Sequence, residues 1–288
     1  MIDDARIDLA AYLARIDHVG STEPTVETLR ALHRAHIFAI PFENLDIAMG
    51  RPINLDLASI QAKLIAARRG GYCFEHNTLF AAVLDALGFP VTRLGARVRM
   101  GRPASDPLAD THMILAVEAD HAVWLADVGF GGDGLVEPIP FEPGPAASQL
   151  GRTFRLVAEP SPSRGAIPAE PVRVLQTLHG DAWFDLYAFS LEPHLEIDYE
   201  LANWFTSTHP SSPFVRGPVA QRQFPDGWLT YRDGILARTW VDGRSKSSHL
   251  TQDELLAVLA DRFTIELPPG TQLAQLETAI QQETALPS

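Results

Sequence analysis

The amino-acid sequence predicts an α+β protein in which helices come first and strands follow. Up to about residue 88, apolar residues recur at the spacing of amphipathic helices. From Val91 the pattern changes to short runs rich in valine, leucine and aromatic residues, separated by glycine, proline, aspartate and serine. Such runs are typical of an antiparallel sheet or a small barrel. The chain has 288 residues, which is enough to bury a large core and to form two or three modules.

Four helices are predicted in the N-terminal part. In the first, Leu9, Leu13 and Ile16 share one face. The second ends at a proline, the third has Ser59 as its N-cap and a glycine pair after its last turn, and the fourth begins at Cys73. The predicted segments are DLAAYLARIDHVG, TVETLRALHRAHIFAI, SIQAKLIAARRGG and CFEHNTLFAAVLDALG.

The remainder of the chain is predicted to be mostly strands, with helices near its end. A helix after Tyr199 breaks at Pro210, and Asp233 and Gly234 form the turn of a hairpin. Thr251 begins a helix with capping-box spacing, and TQLAQLETAIQQE forms a short tail helix. The predicted strands lie in VTRLGARVRM, THMILAVEA, HAVWLADVGF, TFRLVAE, PVRVLQTL and AWFDLYAF.

Composition and charge exclude several classes of function. The net charge of -13 disfavours nucleic acid and anionic lipid as partners, because phosphate binding needs clustered Lys and Arg. A single cysteine excludes an internal disulfide and a cysteine-based zinc cluster. No secretory signal is evident in MIDDARID, and no apolar run approaches the ~18 residues of a membrane span. We therefore expect a cytoplasmic protein without a metal, as a monomer or a homodimer.

The only cysteine, Cys73, lies where one helix has ended at Gly70 and Gly71 and the next begins. A helix N-terminus and a nearby arginine favour thiolate over thiol, so Cys73 is a candidate nucleophile. A lone cysteine is also commonly a small buried apolar residue, and this alternative stays open.

A cysteine nucleophile needs a base, usually histidine, and the base needs an orienting carboxylate or amide. Ten histidines are present, and we expect most of them to be solvated or to cap helices and loops. His112 differs because it opens an apolar strand. If residues Glu118 to His121 connect the hairpin, His112 lies directly opposite Asp127 on the next strand. The alternatives are a strand-end histidine bonded to backbone and an aspartate that caps a turn.

The stretch VGFGG follows Asp127 at residues 128–132. Glycines after a strand can form a loop with exposed N–H groups, which suits a phosphate or pyrophosphate. The spacing matches neither a P-loop nor a dinucleotide fingerprint, so a glycine-rich turn is the better interpretation of the pattern alone.

Five motifs occur along the chain: IPFENLDI, RGGYCFEHN, THMILAV, WLADVGFGG and STHPSSPF. In this order and at these intervals they closely resemble the arylamine N-acetyltransferase family, from about residue 5 to about residue 265. The resemblance implies a helical bundle at 1–89, an antiparallel β-barrel-like domain at 90–210 and an α/β lid with a tail at 211–288. It also implies a papain- or transglutaminase-like catalytic core.

The resemblance implies a Cys73–His112–Asp127 triad that passes an acetyl group from acetyl-CoA, through a cysteine thioester, to arylamines, hydrazines or N-hydroxyarylamines. Backbone N–H groups of Cys73 and near Thr111 are candidates for an oxyanion hole. A structural role is expected for Glu43, Asn44, Arg69, Glu75, Asn77 and His209. The acceptor pocket is expected to contain Phe42, Phe130 and Phe205, and the acetyl-CoA site Thr111, Gly129, Gly131 and Gly132.

His76 departs from the family, which often has glutamine at this position. Three other functions remain open at this stage. An amide synthase that releases a carrier-bound polyketide onto an aromatic amine would use the same triad. A papain-like cysteine hydrolase would share the triad but not the glycine loop. A binding module would bury an inert Cys73. The sequence does not identify the physiological acceptor.

Overall fold

The computed structural model describes residues 6–160, 170–268, 270, 271 and 273. It contains helices and two antiparallel sheets, which confirms the predicted α+β class. Within these residues, none of the helices combines the length and the apolar character needed to cross a membrane.

The N-terminal helices begin at side chains that cap them. Asp8 accepts a hydrogen bond from the N–H of Ala11, and Thr25 from the N–H of Thr28, so helix donors without a backbone partner are satisfied. The α-helices of the described residues are α1 (Leu9–Arg15), α2 (Val26–Ala39), α3 (Leu45–Ala48), α4 (Leu57–Ile60), α5 (Cys73–Ala86), α6 (Glu196–Thr208) and α7 (Gln252–Phe263).

The third predicted helix differs from the expectation in its cap and its geometry. Asp56, not Ser59, is the N-cap, and its carboxylate accepts from the N–H of Ser59. After α4 the chain continues as a π-helix over Gln61–Ala66. The buried side chain of Arg15 contacts this π-helix, because its Nε donates a hydrogen bond to the carbonyl of Leu64 at 2.9 Å.

One antiparallel sheet of eight strands forms the nearly closed, barrel-like middle of the protein. Its strands are β2 (Val91–Val98), β3 (His112–Ala119), β4 (Ala122–Ala126), β5 (Ile139–Pro140), β6 (Ala147–Gln149), β7 (Arg152–Glu159), β8 (Val172–His179) and β9 (Ala182–Pro193). They follow the order β5-β4-β3-β2-β9-β8-β7-β6. The register of β2 against β9 shifts between Leu94 and Ala96, and such irregularities increase sheet curvature.

The hairpin between β3 and β4 exists, but its predicted register was wrong. Asp120 and His121 both have positive φ and form a tight connection, so Ala119 pairs with Ala122 and Leu115 with Ala126. Extending this register would place Asp127 opposite Ile114, two residues from His112. A shift of two residues keeps side chains on the same face, so His112 and Asp127 can still meet.

The second sheet has five strands and joins the two ends of the chain. Its strands are β1 (Phe42–Glu43), β10 (Val219–Phe224), β11 (Gly227–Arg232), β12 (Ile235–Trp240) and β13 (Ser245–His249), in the order β1-β10-β11-β12-β13. The predicted turn at Asp233 and Gly234 is confirmed, as is the capping box at Thr251. Most of the predicted tail helix lies outside the described residues.

Helix α5 is the structural centre of the N-terminal half. Ten of its fourteen residues are buried, so it is covered by other elements on nearly every side. It contacts β3 and β2 of the barrel-like sheet. This packing places α5, and with it Cys73, against the strand that begins at His112.

Candidate active site

The N-terminus of α5 is built by close backbone contacts that only glycine allows. A Cβ on Gly70 would lie 2.0 Å from the carbonyl oxygen of Pro41. The carbonyl of Gly71 accepts from the N–H of Glu43 at 2.7 Å, which ties β1 to the start of α5. The Glu75 carboxylate reaches back to the N–H of Tyr72 at 3.0 Å, the interaction of a capping box. Cys73 is therefore held in a rigid setting.

His112 and Asp127 form a buried hydrogen-bonded pair. Nε2 of His112 lies 2.7 Å from Oδ2 of Asp127, and both residues are almost fully buried. The other carboxylate oxygen accepts from Nδ2 of Asn77 at 3.0 Å and from the N–H of Gly129 at 2.9 Å. Burial would raise the pKa of Asp127, but His112 and these donors bring it below its usual value. The carboxylate therefore stays ionised.

The sulfur of Cys73 lies beside the residue that precedes His112. Sγ donates to the carbonyl of Thr111 at 3.7 Å, so the sulfur lies beside the backbone that enters β3. Because Asp127 engages Nε2 of His112, Nδ1 is the ring nitrogen that is left for a second partner. This is the division of labour that a Cys-His-Asp triad requires.

Electrostatics at Cys73 differ from the expectation of a depressed pKa. Burial raises the pKa of the thiol, and the charge of Asp127 raises it further, whereas the N–H groups of Phe74 and Cys73 lower it. The expected help from arginine is absent, since Arg69 pairs with Glu43 at 2.6 Å. The neutral thiol is therefore the favoured form of Cys73 in this setting.

The three predicted aromatic residues do not line a single cavity. Phe205 lines a cavity of about 320 Å³ together with Thr111 and His112. The ring of Phe130 lies 5.2 Å from the ring of His112, edge to face. Phe42 is stacked on His76, with ring centroids 6.3 Å apart, and it lines a second, small cavity of about 10 Å³ that Asp127 also lines.

The glycine loop after Asp127 uses most of its backbone groups inside the protein. The N–H of Gly132 donates to Oε1 of Gln221, and the carbonyl of Gly131 accepts from Nε2 of Gln223 at 3.1 Å. The carbonyl of Gly132 accepts from Arg152. The N–H groups of Gly129 and Gly132 are thus committed, which differs from the expected open cradle for pyrophosphate.

Two further backbone details correct the expectations. The N–H of Thr111 donates to the carbonyl of Ala96 at 3.2 Å, so this N–H is not free for an oxyanion. Gly129 is needed for packing, because a Cβ there would lie 2.7 Å from the carbonyl oxygen of Cys73. The N–H of Cys73, in the first turn of α5, remains the candidate for the oxyanion hole, because the first N–H groups of a helix have no partner within the helix.

The expected structural residues are held in buried polar contacts. Arg69 pairs with Glu43 and with Asp46, and Nζ of Lys63 lies 2.8 Å from Oε1 of Glu75. The amide of Asn44 donates to the carbonyl of Phe214 at 2.7 Å. These contacts surround the loop that leads to Cys73.

Two more of these residues have distinct roles. His209 organises its own loop through Ser211. Asn77 goes beyond a structural role, because it contacts Asp127 directly. Within the described ranges, no group of three or more histidine, cysteine, aspartate or glutamate side chains is arranged to hold a metal ion.

Sequence reasoning missed three buried histidines. His33, His36 and His76 are at most 1% exposed, so the expectation of solvated or capping histidines is wrong for them. His33 contacts the backbone of Asp127. A signal existed in the sequence, since His33 and His36 continue the apolar stripe of Leu29 and Leu32 on α2.

Over most of its length, the chain is similar to known N-acetyltransferases in sequence and in structure. A sequence model of the family described as N-acetyltransferase matches residues 25–272. The arylamine N-acetyltransferase of Mycolicibacterium smegmatis is 38% identical over 268 residues, covering 91% of this chain and 93% of the relative. The arylamine N-acetyltransferase / N-hydroxyarylamine O-acetyltransferase of Salmonella typhimurium is 39% identical over 219 residues, covering 76% and 74%. The solved structure of the Mycobacterium marinum arylamine N-acetyltransferase in complex with CoA is 37% identical, with a TM-score of 0.84 and coverage of 96% and 99%.

Proposed function

Because the chain belongs to the arylamine N-acetyltransferase family, we propose that Cys73, His112 and Asp127 are the catalytic triad of its reaction. The protein transfers an acetyl group from acetyl-CoA to arylamines. The observation that carries the triad is the buried 2.7 Å bond between His112 and Asp127, beside the only thiol of the chain.

In the first half-reaction, His112 takes the proton of the Cys73 thiol through Nδ1, and the sulfur attacks the thioester carbonyl of acetyl-CoA. The N–H at the start of α5 stabilises the oxyanion that forms. The carbon–sulfur bond to CoA breaks, and His112 returns the proton to the departing CoA thiolate. The product is acetyl-Cys73, and Asp127 stabilises the imidazolium and keeps its orientation throughout.

In the second half-reaction, the arylamine nitrogen attacks acetyl-Cys73 while His112 accepts the proton that the nitrogen loses. The bond from the acetyl carbon to sulfur breaks, and the proton is returned to Cys73. The second step is strongly downhill because a thioester becomes an amide. We propose hydrazines and N-hydroxyarylamines as further acceptors, since the relative from Salmonella typhimurium is also an N-hydroxyarylamine O-acetyltransferase.

We propose that acceptors bind in the 320 Å³ cavity beside His112, with Phe205 as its aromatic wall and Phe130 at the imidazole. Apolar walls with a few polar groups are typical of pockets for small aromatic ligands. Phe42 is not among the residues that line this cavity, so its effect on acceptor binding would be indirect. For CoA binding, Gly131 remains the candidate in the glycine loop. The contacts described above use the N–H groups of Gly129 and Gly132 but not that of Gly131.

We also propose a cytoplasmic location, because the catalytic thiol must stay reduced and the chain has no second cysteine. The charge of -13 makes nucleic acid and anionic membrane surfaces unfavourable partners, and the protein would act as a monomer or a homodimer.

The test is intact mass spectrometry after mixing with acetyl-CoA in the absence of an acceptor, followed by peptide mapping. We expect one acetyl group on Cys73 that is discharged when an arylamine is added. Cys73→Ser is the control and should stay unmodified under the same conditions. An unacetylated Cys73 in an otherwise active preparation would contradict the thioester mechanism.

A further inference from the structure

His33 lies on α2, outside the triad, yet both of its ring nitrogens bond to the loop that begins at Asp127. Its Nε2 accepts from the N–H of Asp127 at 3.2 Å, and its Nδ1 lies 2.9 Å from the carbonyl oxygen of Val136. The side chain is fully buried. One imidazole therefore connects the two ends of the segment 127–136, which carries Asp127 and Phe130.

The partners fix the tautomer of this imidazole. A carbonyl oxygen can only accept and a backbone N–H can only donate, so Nδ1 of His33 carries the hydrogen and Nε2 carries the lone pair. The ring is neutral in this arrangement. Burial lowers the pKa of His33 to about 4, which is consistent with a ring that stays neutral at physiological pH.

The bond to Asp127 compensates for the end of a strand. Strand β4 stops at Ala126, whose partner is Leu115, so the N–H of Asp127 has no partner in the ladder. A buried backbone N–H without an acceptor is costly. His33 supplies that acceptor where the chain must turn the Asp127 carboxylate toward His112.

We infer that His33 is a positioning residue for the acetyl-transfer reaction, holding the backbone of Asp127 so that its carboxylate orients His112. The inference rests on the proposed triad. His33 acts through Asp127 and touches neither the thiol nor the substrate. It also closes the base of the glycine loop through Val136, so the orientation of Asp127 and the position of Phe130 are linked.

A purely structural role is the competing explanation, because His33 also packs edge to face on Phe80 at 5.8 Å. Three variants separate the two. His33→Gln keeps a donor and an acceptor, whereas His33→Leu keeps only bulk. Leu29→Ala, one turn earlier on α2, weakens the same core without removing a hydrogen bond to Asp127, because the leucine side chain has no polar atom.

The readout is the pH profile of Cys73 alkylation by iodoacetamide, together with single-turnover acetylation of Cys73 by acetyl-CoA. We expect His33→Leu to slow both by about tenfold or more at neutral pH, because the Asp127 N–H loses its acceptor. His33→Gln should recover most of this loss, and Leu29→Ala should follow the wild-type profile while lowering the melting temperature. A folded His33→Leu protein with the wild-type profile, or an equal loss in Leu29→Ala, would overturn the inference. Failure of the wild-type protein to acetylate Cys73 would instead overturn the proposed triad.

A measurement on the wild-type protein covers the case in which His33→Leu does not fold. The ¹⁵N NMR spectrum of the imidazole nitrogens should show His33 protonated on Nδ1 and unprotonated on Nε2, with a coupling across the bond from the Asp127 N–H. A ring protonated on Nε2 cannot accept that bond and would overturn the inference without any assay of activity.

Discussion

Asp127 is the residue that makes the most hydrogen bonds to the other residues of the site. It accepts from His112, Asn77 and Gly129, and its backbone is bonded to His33. All of these donors favour the charged form over the neutral one. Asp127 is therefore an ionised acceptor that selects the Nε2–H form of His112 and leaves Nδ1 as the accepting nitrogen, as the proposed triad requires.

Replacing that carboxylate with an amide tests this role. In Asp127→Asn, an amide oxygen that keeps the bonds from Asn77 and Gly129 turns the amide N–H₂ toward His112, so the required tautomer is lost. The opposite orientation keeps the tautomer but gives up those two bonds. We expect single-turnover acetylation of Cys73 to fall by about 10²–10⁴-fold, as for the same change in a serine protease triad. Asp85→Asn, an exposed position on α5, is the control and should acetylate like the wild type. An Asp127→Asn protein with the wild-type rate would exclude the orienting role.

At this scale the sequence predicts the residues of the proposed triad but not their surroundings. Cys73, His112 and Asp127 stand out because of a helix start, an apolar strand and a hairpin. The hairpin register was wrong because the turn is two residues tighter than expected. His33 was missed because its value lies in a bond to the backbone of a residue distant in sequence, which no local pattern encodes.

At the scale of elements, β10 connects the C-terminal sheet to the glycine loop. Gln221 and Gln223 lie on β10 and bond to Gly132 and Gly131, respectively. Arg152 of β7 donates to the same loop and to Gln223, at 2.7 Å. The sheet thus holds the loop that carries Phe130 against His112.

Gln221→Ala removes the acceptor for the Gly132 N–H and should loosen this loop. We expect KM for arylamines to rise several-fold while acetylation of Cys73 changes little, because ground-state positioning of the acceptor is lost and the triad is kept. Steady-state kinetics over a set of arylamines, compared with the single-turnover rate, provides the measurement. Gln252→Ala, at the exposed start of α7, is the matched control. Equal loss in both half-reactions would show that the loop supports the triad instead.

Elements that depend on local signals were predicted well. The hairpin at Asp233 and the cap at Thr251 follow from turn and capping chemistry. The pairing of β1 with β10 was not predicted, because two strands separated by most of the chain carry no local signal of their partner. The π-helix was not predicted either, since it includes a contact with a residue distant in sequence, Arg15, that no local pattern encodes.

At the scale of the whole molecule, strand pairing and buried hydrogen bonds connect the parts that the sequence predicts as separate modules. Phe42 of β1 pairs with the C-terminal sheet, and Tyr72 bonds through its hydroxyl to Asn203 of α6. The N-terminal helices contain a further chain of bonds. Tyr12 donates to Nδ1 of His36, Nε2 of His36 donates to Nδ1 of His76, and Nε2 of His76 donates to the carbonyl of Pro41.

These buried histidines make the stability of the protein depend on pH. Burial lowers the pKa of His33 and of His76 to about 4, and it lowers the pKa of His36 well below its usual value. The unfolded chain binds protons at these residues below about pH 6.5, whereas the folded protein does not until about pH 4. The contribution of these two histidines to the free energy of unfolding is therefore complete above about pH 6.5. As the pH falls toward 4, the free energy of unfolding decreases by up to about 3 kcal/mol for each of His33 and His76.

His76→Gln, which introduces the residue common in the family, tests this directly. Glutamine can donate to the carbonyl of Pro41 and accept from His36, so the bonds are kept while one titrating group is removed. Between pH 6.5 and 4 we expect the slope of the unfolding free energy against pH to decrease by about 1.4 kcal/mol per pH unit, the value for one proton. Urea unfolding at a series of pH values measures this slope. The raised pKa of Glu75 acts in the opposite sense but is present in both proteins, so the difference between them reports His76. Equal slopes in the two proteins would mean that His76 is protonated in the folded state, and the directional chain from Tyr12 to Pro41 would then have to be abandoned.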